Sequence, residues 1–374
     1  MYDYLEEYII IHNKKNDYKF ILNCVKKNGL ILKYASDNLK NNYEIVLNAV
    51  QNNGEALYYA SDKLKNDYNI VLNAVKNNGC VIKYASYELI NNYDIVLNAV
   101  QNNGYSLTYT SNDFKNNYNI VINAINNNVS AFSYISDNLK NNYDLVLKVI
   151  KTNELMLRYV SNNLKNNFNI ILNAVKKNGL LLEYASNKLK NNYFIVLIAV
   201  KNNGYALEYV SDNLKNNYNI VLNAVKNKGD ALLYASNNLK NNYNIVLNAV
   251  NNKGDALLYA SDNLKNNYNI VLNAVKNAGY VIKYASYELI NNYDIIFSAI
   301  FNYYHSISYL PFSLIKNRKI IYSVNYSQQV ENYHYFTFKN DKLELKFKNI
   351  IDYKFKIKKN YLINENVNNI LKYF

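Results

Sequence analysis

A chain of 374 residues with half of them apolar has ample material for a core, and one proline and nine glycines leave a helix-rich fold open. Its two cysteines, Cys24 and Cys80, lie too far apart for a disulfide framework or a cysteine metal site, so a reducing compartment is expected. The formal charge of +14 raises nucleic acid as a partner class, but 12 Lys/Arg against 5 Asp/Glu fall in Pro311–Phe374, so charge is denser in the tail than along the rest.

The first ten residues hold three acids and no base, the reverse of a secretory leader, and read as a short N-terminal cap, 1–10. No apolar run reaches the roughly 18 residues that span a bilayer. A soluble intracellular protein, cytoplasmic or nuclear, is expected.

From Ile11 to Leu310 the chain is periodic. All nine glycines, from Gly29 to Gly279, are spaced by 25 residues or a multiple of 25. Such strict self-similarity predicts a stacked array in which each unit leans on its neighbours. The unit Ser211–Ala235, SDNLKNNYNIVLNAVKNKGDALLYA, is typical, and the next unit differs from it at two positions. Tyr218, Val221, Leu222 and Val225 recur at i, i+3, i+4 and i+7, one face of an α-helix. Asn216 or Asn217 is placed to cap its start. Gly229 is expected to close it in a left-handed conformation. Asp230–Ala235 reads as a second, short helix, and the following polar stretch as a connector anchored by one leucine. The predicted fold is all-α: an α-solenoid of twelve 25-residue helix-turn-helix repeats over 11–310, with a small C-terminal β-rich segment.

Two central units lack the glycine. Val129 and Glu154 stand in its place and Phe132 replaces the usual aliphatic residue, so a local irregularity is expected over Val129–Met156. Beyond Leu310 the pattern fades. Leu314, Ile320, Ile321 and Val324 suggest a degenerate capping half-repeat over 311–325. The period then changes to two: Tyr333–Phe338 and Leu343–Phe347 flank Asn340-Asp341 as a hairpin would. Tyr353, Phe355 and Ile357 alternate with Lys354, Lys356 and Lys358, giving a basic sheet face over a tail, 326–374, that ends in a helix.

Several slots invite a functional reading. Aromatic residues open every long helix, from Tyr18 to Tyr293, and tyrosine ends every short one, from Tyr34 to Tyr309; such ladders either pack into a core or stack on bases. Asparagine recurs in mid-helix, as at Asn223, where it is a poor helix former; an amide ladder between stacked helices or a recognition ridge would explain it, as would an AT-rich coding bias. Connector lysines, including Lys40, Lys65, Lys140, Lys165, Lys215 and Lys240, would line up at about 10 Å spacing and follow a phosphate backbone. Asp37, Asp62, Asp137, Asp212 and Asp262 partly neutralise that line.

The short-helix surface varies most. Its exposed slot includes Arg158, Glu183 and Glu208, and the slot after the glycine includes Tyr105, Tyr205 and Tyr280. Repeat proteins place partner contacts where units differ, so these residues are the candidate protein-binding set. Nucleic-acid binding through the lysine line and the tail lysines Lys354, Lys356 and Lys358 is the alternative. His12, His305 and His334 are scattered, and no phosphate-binding glycine loop, nucleophile elbow or metal-ligand spacing stands in the sequence. A non-enzymatic protein without cofactor, metal or membrane association is expected.

The phrase AVKNNGYALEYVSDNLKNN, Ala199–Asn217, resembles the short α-helical repeats of a family of unknown function with an AVxxNGxALxYAS-type consensus. The resemblance runs from Ile11 to Leu310, with Val129, Glu154 and Tyr304 departing at the glycine slot. It implies the helical array and a source among large DNA viruses of protists, with virion association then an option, or among protists themselves. It brings no catalytic or ligand residue.

Overall fold

A computed structural model describes residues 13–317 together with 319–321, 323, 324 and 327. The chain divides into two compact units at Lys177–Asn178, with 184–186 counted with the first. The first holds seven long α-helices, Tyr18–Lys27 to Phe168–Lys177, and the second holds five, Tyr193–Asn202 to Tyr293–Asn302. Among the described residues there are helices and no strand. The expected N-terminal cap, the hairpin, the basic strand with Lys354, Lys356 and Lys358, and the final helix all lie outside the described residues.

Each repeat has three helices rather than two. In one, a ten-residue α-helix, Tyr218–Asn227, leads into a 3-10 helix, Gly229–Tyr234, and then a four-residue α-helix, Asn237–Lys240. The last of these lies in the expected connector. It begins at Ser236, whose side chain accepts from the Leu239 amide, and it buries only Leu239. A single buried leucine leaves no periodicity to read.

The core face of the long helix is Ile220, Val221, Ala224 and Val225, all fully buried. Leu222 is half-buried and Tyr218 stays 40% exposed. The expected stripe through Tyr218 and Leu222 is therefore rotated by part of a turn. Asn217 caps this helix by accepting from the Ile220 amide at 3.1 Å. Such a cap contributes about 1 kcal/mol.

Glycine does not serve the purpose read from the sequence. None of the nine has a positive φ. The residue before each glycine ends the long helix in an extended conformation, as Asn53 does at φ −146°, ψ 112°. What requires glycine is proximity. A Cβ on any of the nine would sit 2.2–2.7 Å from an alanine carbonyl oxygen in the next long helix, Ala49 for Gly29 and Ala224 for Gly204 among them. No side chain fits between these two backbones, and the atom in the way is main chain, which cannot swing aside.

The close approach is locked by an asparagine. At all nine glycines the N–H donates to the Oδ1 of an asparagine 23 residues later, at 2.5–3.0 Å. In eight of the nine the Nδ2 of the same amide reaches back to a carbonyl in the last turn of the preceding long helix, as Asn227 does to Lys201 O at 3.1 Å and Asn252 to Lys226 O at 3.0 Å. One side chain thus clasps two successive units. A second stitch joins the connectors: the Ser236 hydroxyl donates to Asn216 Oδ1 at 2.6 Å, and the Ser236 amide donates to the Lys215 carbonyl at 3.0 Å.

The departures fall together. Val129 faces Val149 and Thr152 where other units have alanine and asparagine, and the Thr152 hydroxyl donates within its own helix to Lys148 O. The helices Tyr118–Asn127 and Tyr143–Thr152 approach less closely than glycine-bearing neighbours do. Phe132, the largest fully buried side chain, lies in this unit. Alanine therefore has unequal effects when introduced at two copies of one slot. Gly54→Ala should lower stability by about 1–3 kcal/mol through overpacking, whereas Val129→Ala, which adds no atom, should cost less than about 1 kcal/mol; urea unfolding of the two variants measures the difference.

Candidate functional site

The fixed frame leaves one strip of each unit free to vary. In the 3-10 helix the third and fourth residues turn inward, as Ala206 and Leu207 do, both fully buried. The second and fifth turn outward, followed by the tyrosine that closes the helix. On successive units these outward residues form a face.

In the first unit this face is aromatic, with cations set against the rings. Tyr58 meets Tyr84 edge-on at 5.0 Å between ring centroids, and Tyr105 meets Tyr134 at 5.4 Å. Lys83 Nζ lies 4.7 Å from the Tyr84 ring centre and 5.7 Å from that of Tyr109. Contact with the Tyr84 hydroxyl favours the charged ammonium and raises the Lys83 pKa. Tyr105 is exposed, and the neighbouring Tyr134 hydroxyl raises its pKa. Arg158 is also exposed on this face, with its guanidinium 5.1 Å from the Tyr159 ring centre.

In the second unit the same face is more charged. Glu183 and Glu208 are exposed. Glu208 bears on the Tyr234 hydroxyl of the next 3-10 helix, which burial and this contact raise above its ordinary pKa. Tyr205 is half-buried, its hydroxyl 3.5 Å from Asp230 Oδ2, and Asp230 pairs with Lys253 at 2.5 Å. Tyr280, also half-buried, donates to Asp255 Oδ2 at 2.6 Å. Lys283 stands over three rings, those of Tyr280, Tyr284 and Tyr309, at 5.7, 4.9 and 5.2 Å.

The structure thus brings Tyr205 and Glu208 onto one 3-10 helix and gives Tyr205 and Tyr280 acidic partners. Tyr105 and Arg158 lie two repeats apart and do not meet. Lys83, Asp230, Asp255 and Lys283 organise the face; they stand in the same variable slots, but the sequence does not show what they pair with. Their partners on neighbouring repeats sit 23 to 26 residues away, so only the stacking reveals those pairs.

The other ladders resolve differently. The aromatic residues that open the long helices neither enter the core nor stand free: from Tyr18 to Tyr293 all twelve are 36–46% exposed. Mid-helix asparagine bonds first within its own helix. Asn223 Nδ2 donates to the Asn219 carbonyl one turn back, at 2.7 Å, and Asn48, Asn73, Asn98, Asn123, Asn173, Asn248 and Asn273 do the same in their own helices. At Asn73 and Asn123 the Oδ1 also accepts across the junction, from Gln51 Nε2 at 3.3 Å and Gln101 Nε2 at 3.2 Å. The amide that clasps the glycine is the one four residues later.

Four of the six connector lysines singled out in the sequence are paired. Lys40, Lys65, Lys140 and Lys215 have side chains only 20–25% exposed, each paired with the aspartate three residues before it at 3.3–4.0 Å. Those aspartates are fully exposed, so acid alternates with base along the edge. Burial lowers the Lys165 and Lys240 pKa values, and Lys165 Nζ donates to the Arg158 carbonyl at 3.0 Å.

Among the described residues no group of three or more His, Cys, Asp or Glu could hold a metal ion, and no helix is long and apolar enough to cross a membrane.

The Tyr280–Asp255 pair offers a direct titration. Its hydrogen bond to a carboxylate and its burial push the Tyr280 pKa up to about 12. A pKa raised on folding contributes stability that is fully present below the unfolded value and is lost as pH rises through the folded one, here the window between about 10 and about 12. Carbon-13 NMR of ring-labelled tyrosine, with Tyr280→Phe for assignment, should show this hydroxyl titrating near 12 and moving down in Asp255→Asn.

Searches of the curated proteins and of the solved structures find no match to the chain. The family described as Domain of unknown function (DUF4116) matches over residues 17–64, 44–90, 92–140, 142–190, 167–215, 192–240, 217–265, 242–290 and 267–315. Each match spans two consecutive repeats, and from 142 onward the matches advance by one 25-residue repeat at a time. The chain belongs to the DUF4116 family.

Proposed function

We propose that the chain is a non-catalytic repeat scaffold that engages protein partners along its 3-10 helix face. The observation that carries this reading is the contrast between a nearly invariant frame and an outward strip that changes from unit to unit. A rigid frame presents side chains without a large ordering cost on binding. Tyrosine and arginine, the residues most enriched where binding energy concentrates, stand on that strip at Tyr105, Tyr134 and Arg158. The exposed carboxylates Glu183 and Glu208 add charge selectivity.

The non-catalytic part of the reading rests on the sequence, with its scattered histidines and its lack of a nucleophile or phosphate-binding motif. The paired, half-buried state of Lys40, Lys65, Lys140 and Lys215 favours a protein partner over a phosphate backbone, because binding phosphate would require each of the four to leave its aspartate.

Affinity capture from a lysate of the source cells, with the full chain as bait and half the sample treated with nuclease, tests the proposal. A defined set of proteins should survive nuclease treatment, and the triple variant Arg158→Glu, Glu183→Lys, Glu208→Lys should weaken their retention on the order of tenfold. Loss of the captured material on nuclease treatment, or full retention by the triple variant, contradicts it.

A further inference from the structure

The clasp is present or absent in a pattern with its own consequence. Six junctions between long helices lie within the first compact unit. The first four are clasped by Gly29–Asn52, Gly54–Asn77, Gly79–Asn102 and Gly104–Asn127. The fifth and sixth are not, because Val129 faces Thr152 and Glu154 faces Lys177, and neither opposing side chain is an amide that can accept the backbone N–H.

The two exceptions differ from each other. At the sixth junction Lys177 Nζ donates to the Lys151 carbonyl at 2.5 Å, the reach that asparagine Nδ2 makes elsewhere, and pairs with Glu154 at 3.8 Å. The ion pair replaces the clasp, but its side chains are 42% and 27% exposed, so salt screens it. At the fifth junction neither clasp nor ion pair forms at the glycine slot: Thr152 bonds inside its own helix, Val149 stands where alanine permits close approach, and the helices lie farther apart, bridged only higher up by Lys148 Nζ donating to the neutral Asn126 Oδ1 at 2.8 Å.

We infer that these two adjoining junctions are a built-in weak joint, the place where the first compact unit opens first. The fifth junction opens without regard to salt. The sixth is held by an ion pair and loosens as salt rises. In a stack stabilised by nearest-neighbour interfaces, local opening follows the weakest interface. Opening at the fifth junction separates Tyr134 from Arg158 on the outward face, so the joint sets how far that face can adapt. The inference does not depend on what binds there.

Native-state hydrogen exchange of the full chain, read by mass spectrometry, tests it. Amides at 129–131 and 154–156 should exchange at least about tenfold faster than those at 104–106 and 204–206. Raising NaCl from about 0.1 to about 1 M should accelerate 154–156 and leave 129–131 unchanged. The triple variant Val129→Gly, Val149→Ala, Thr152→Asn installs the residues of the clasped junctions and should slow 129–131 to their level. The double variant Glu154→Gly, Lys177→Asn should slow 154–156 and remove its salt response. The converse triple variant Gly204→Val, Ala224→Val, Asn227→Thr should create a second fast site at 204–206. Equal exchange at clasped and unclasped junctions, or no slowing in the reclasped variants, overturns the joint. Salt-insensitive exchange at 154–156 overturns the role given to the ion pair.

Discussion

Two backbones that touch with no side chain between them set the terms for the rest of this fold. A glycine N–H, an alanine carbonyl of the next helix and an asparagine amide meet at one point, and the point recurs along the array. The glycine is needed because a Cβ would fall within 2.7 Å of that carbonyl oxygen or closer. The asparagine is needed because the approach leaves a part-buried N–H to satisfy, and an unpaired one would cost about 1–3 kcal/mol. The opposing alanine keeps the facing helix slim. Each of the three residue types follows from the other two.

This constraint also explains why the frame and the outward face can behave so differently. Interior slots are tied to a neighbour one repeat away, so a change at one demands a change at another. Val129 with Val149 and Thr152, and Glu154 with Lys177, are departures of that coupled kind. The outward slots carry no such tie in general, and there lysine, tyrosine, glutamate, leucine and serine replace one another on the same backbone. Where outward residues do pair, as in Tyr280 with Asp255 or Lys253 with Asp230, they pair across one junction and shape the face locally.

Much of this was legible in the sequence, but for mixed reasons. The 25-residue period, the long helix, its cap at Asn217 and the odd units at Val129 and Glu154 can all be read directly, because they show as spacing or as a break in spacing. The purpose of the glycine cannot. A left-handed helix end and a close backbone approach call for the same residue, and only three-dimensional proximity distinguishes them. The four-residue helix at Asn237–Lys240 is invisible because one leucine makes no pattern. Asparagine is the clearest lesson. Its abundance invites dismissal as coding bias, yet in this fold Asn216 receives a serine hydroxyl, Asn217 caps a helix, Asn223 bonds back along its own turn and Asn227 clasps the preceding unit. Four uses of one residue type within twelve positions look like low complexity until the partners are in view, three or four residues away for Asn217 and Asn223 and 20 to 26 for Asn216 and Asn227. The connector lysines are evenly spaced on paper, yet Lys40, Lys65, Lys140 and Lys215 fold back against their own aspartates.

The central claim is that glycine and asparagine act as one unit, and a double-mutant cycle on Gly204 and Asn227 tests it most directly. Urea unfolding of the full chain would be measured for Gly204→Ala, Asn227→Thr and the pair. If the two residues form one clasp, each single change should cost about 1–3 kcal/mol and the double variant little more than the larger of the two, because the first change has already parted the contact. Losses that simply add, or a Gly204→Ala variant as stable as the parent, would show that the glycine and the asparagine serve separate ends and that the close backbone approach does not hold the array together.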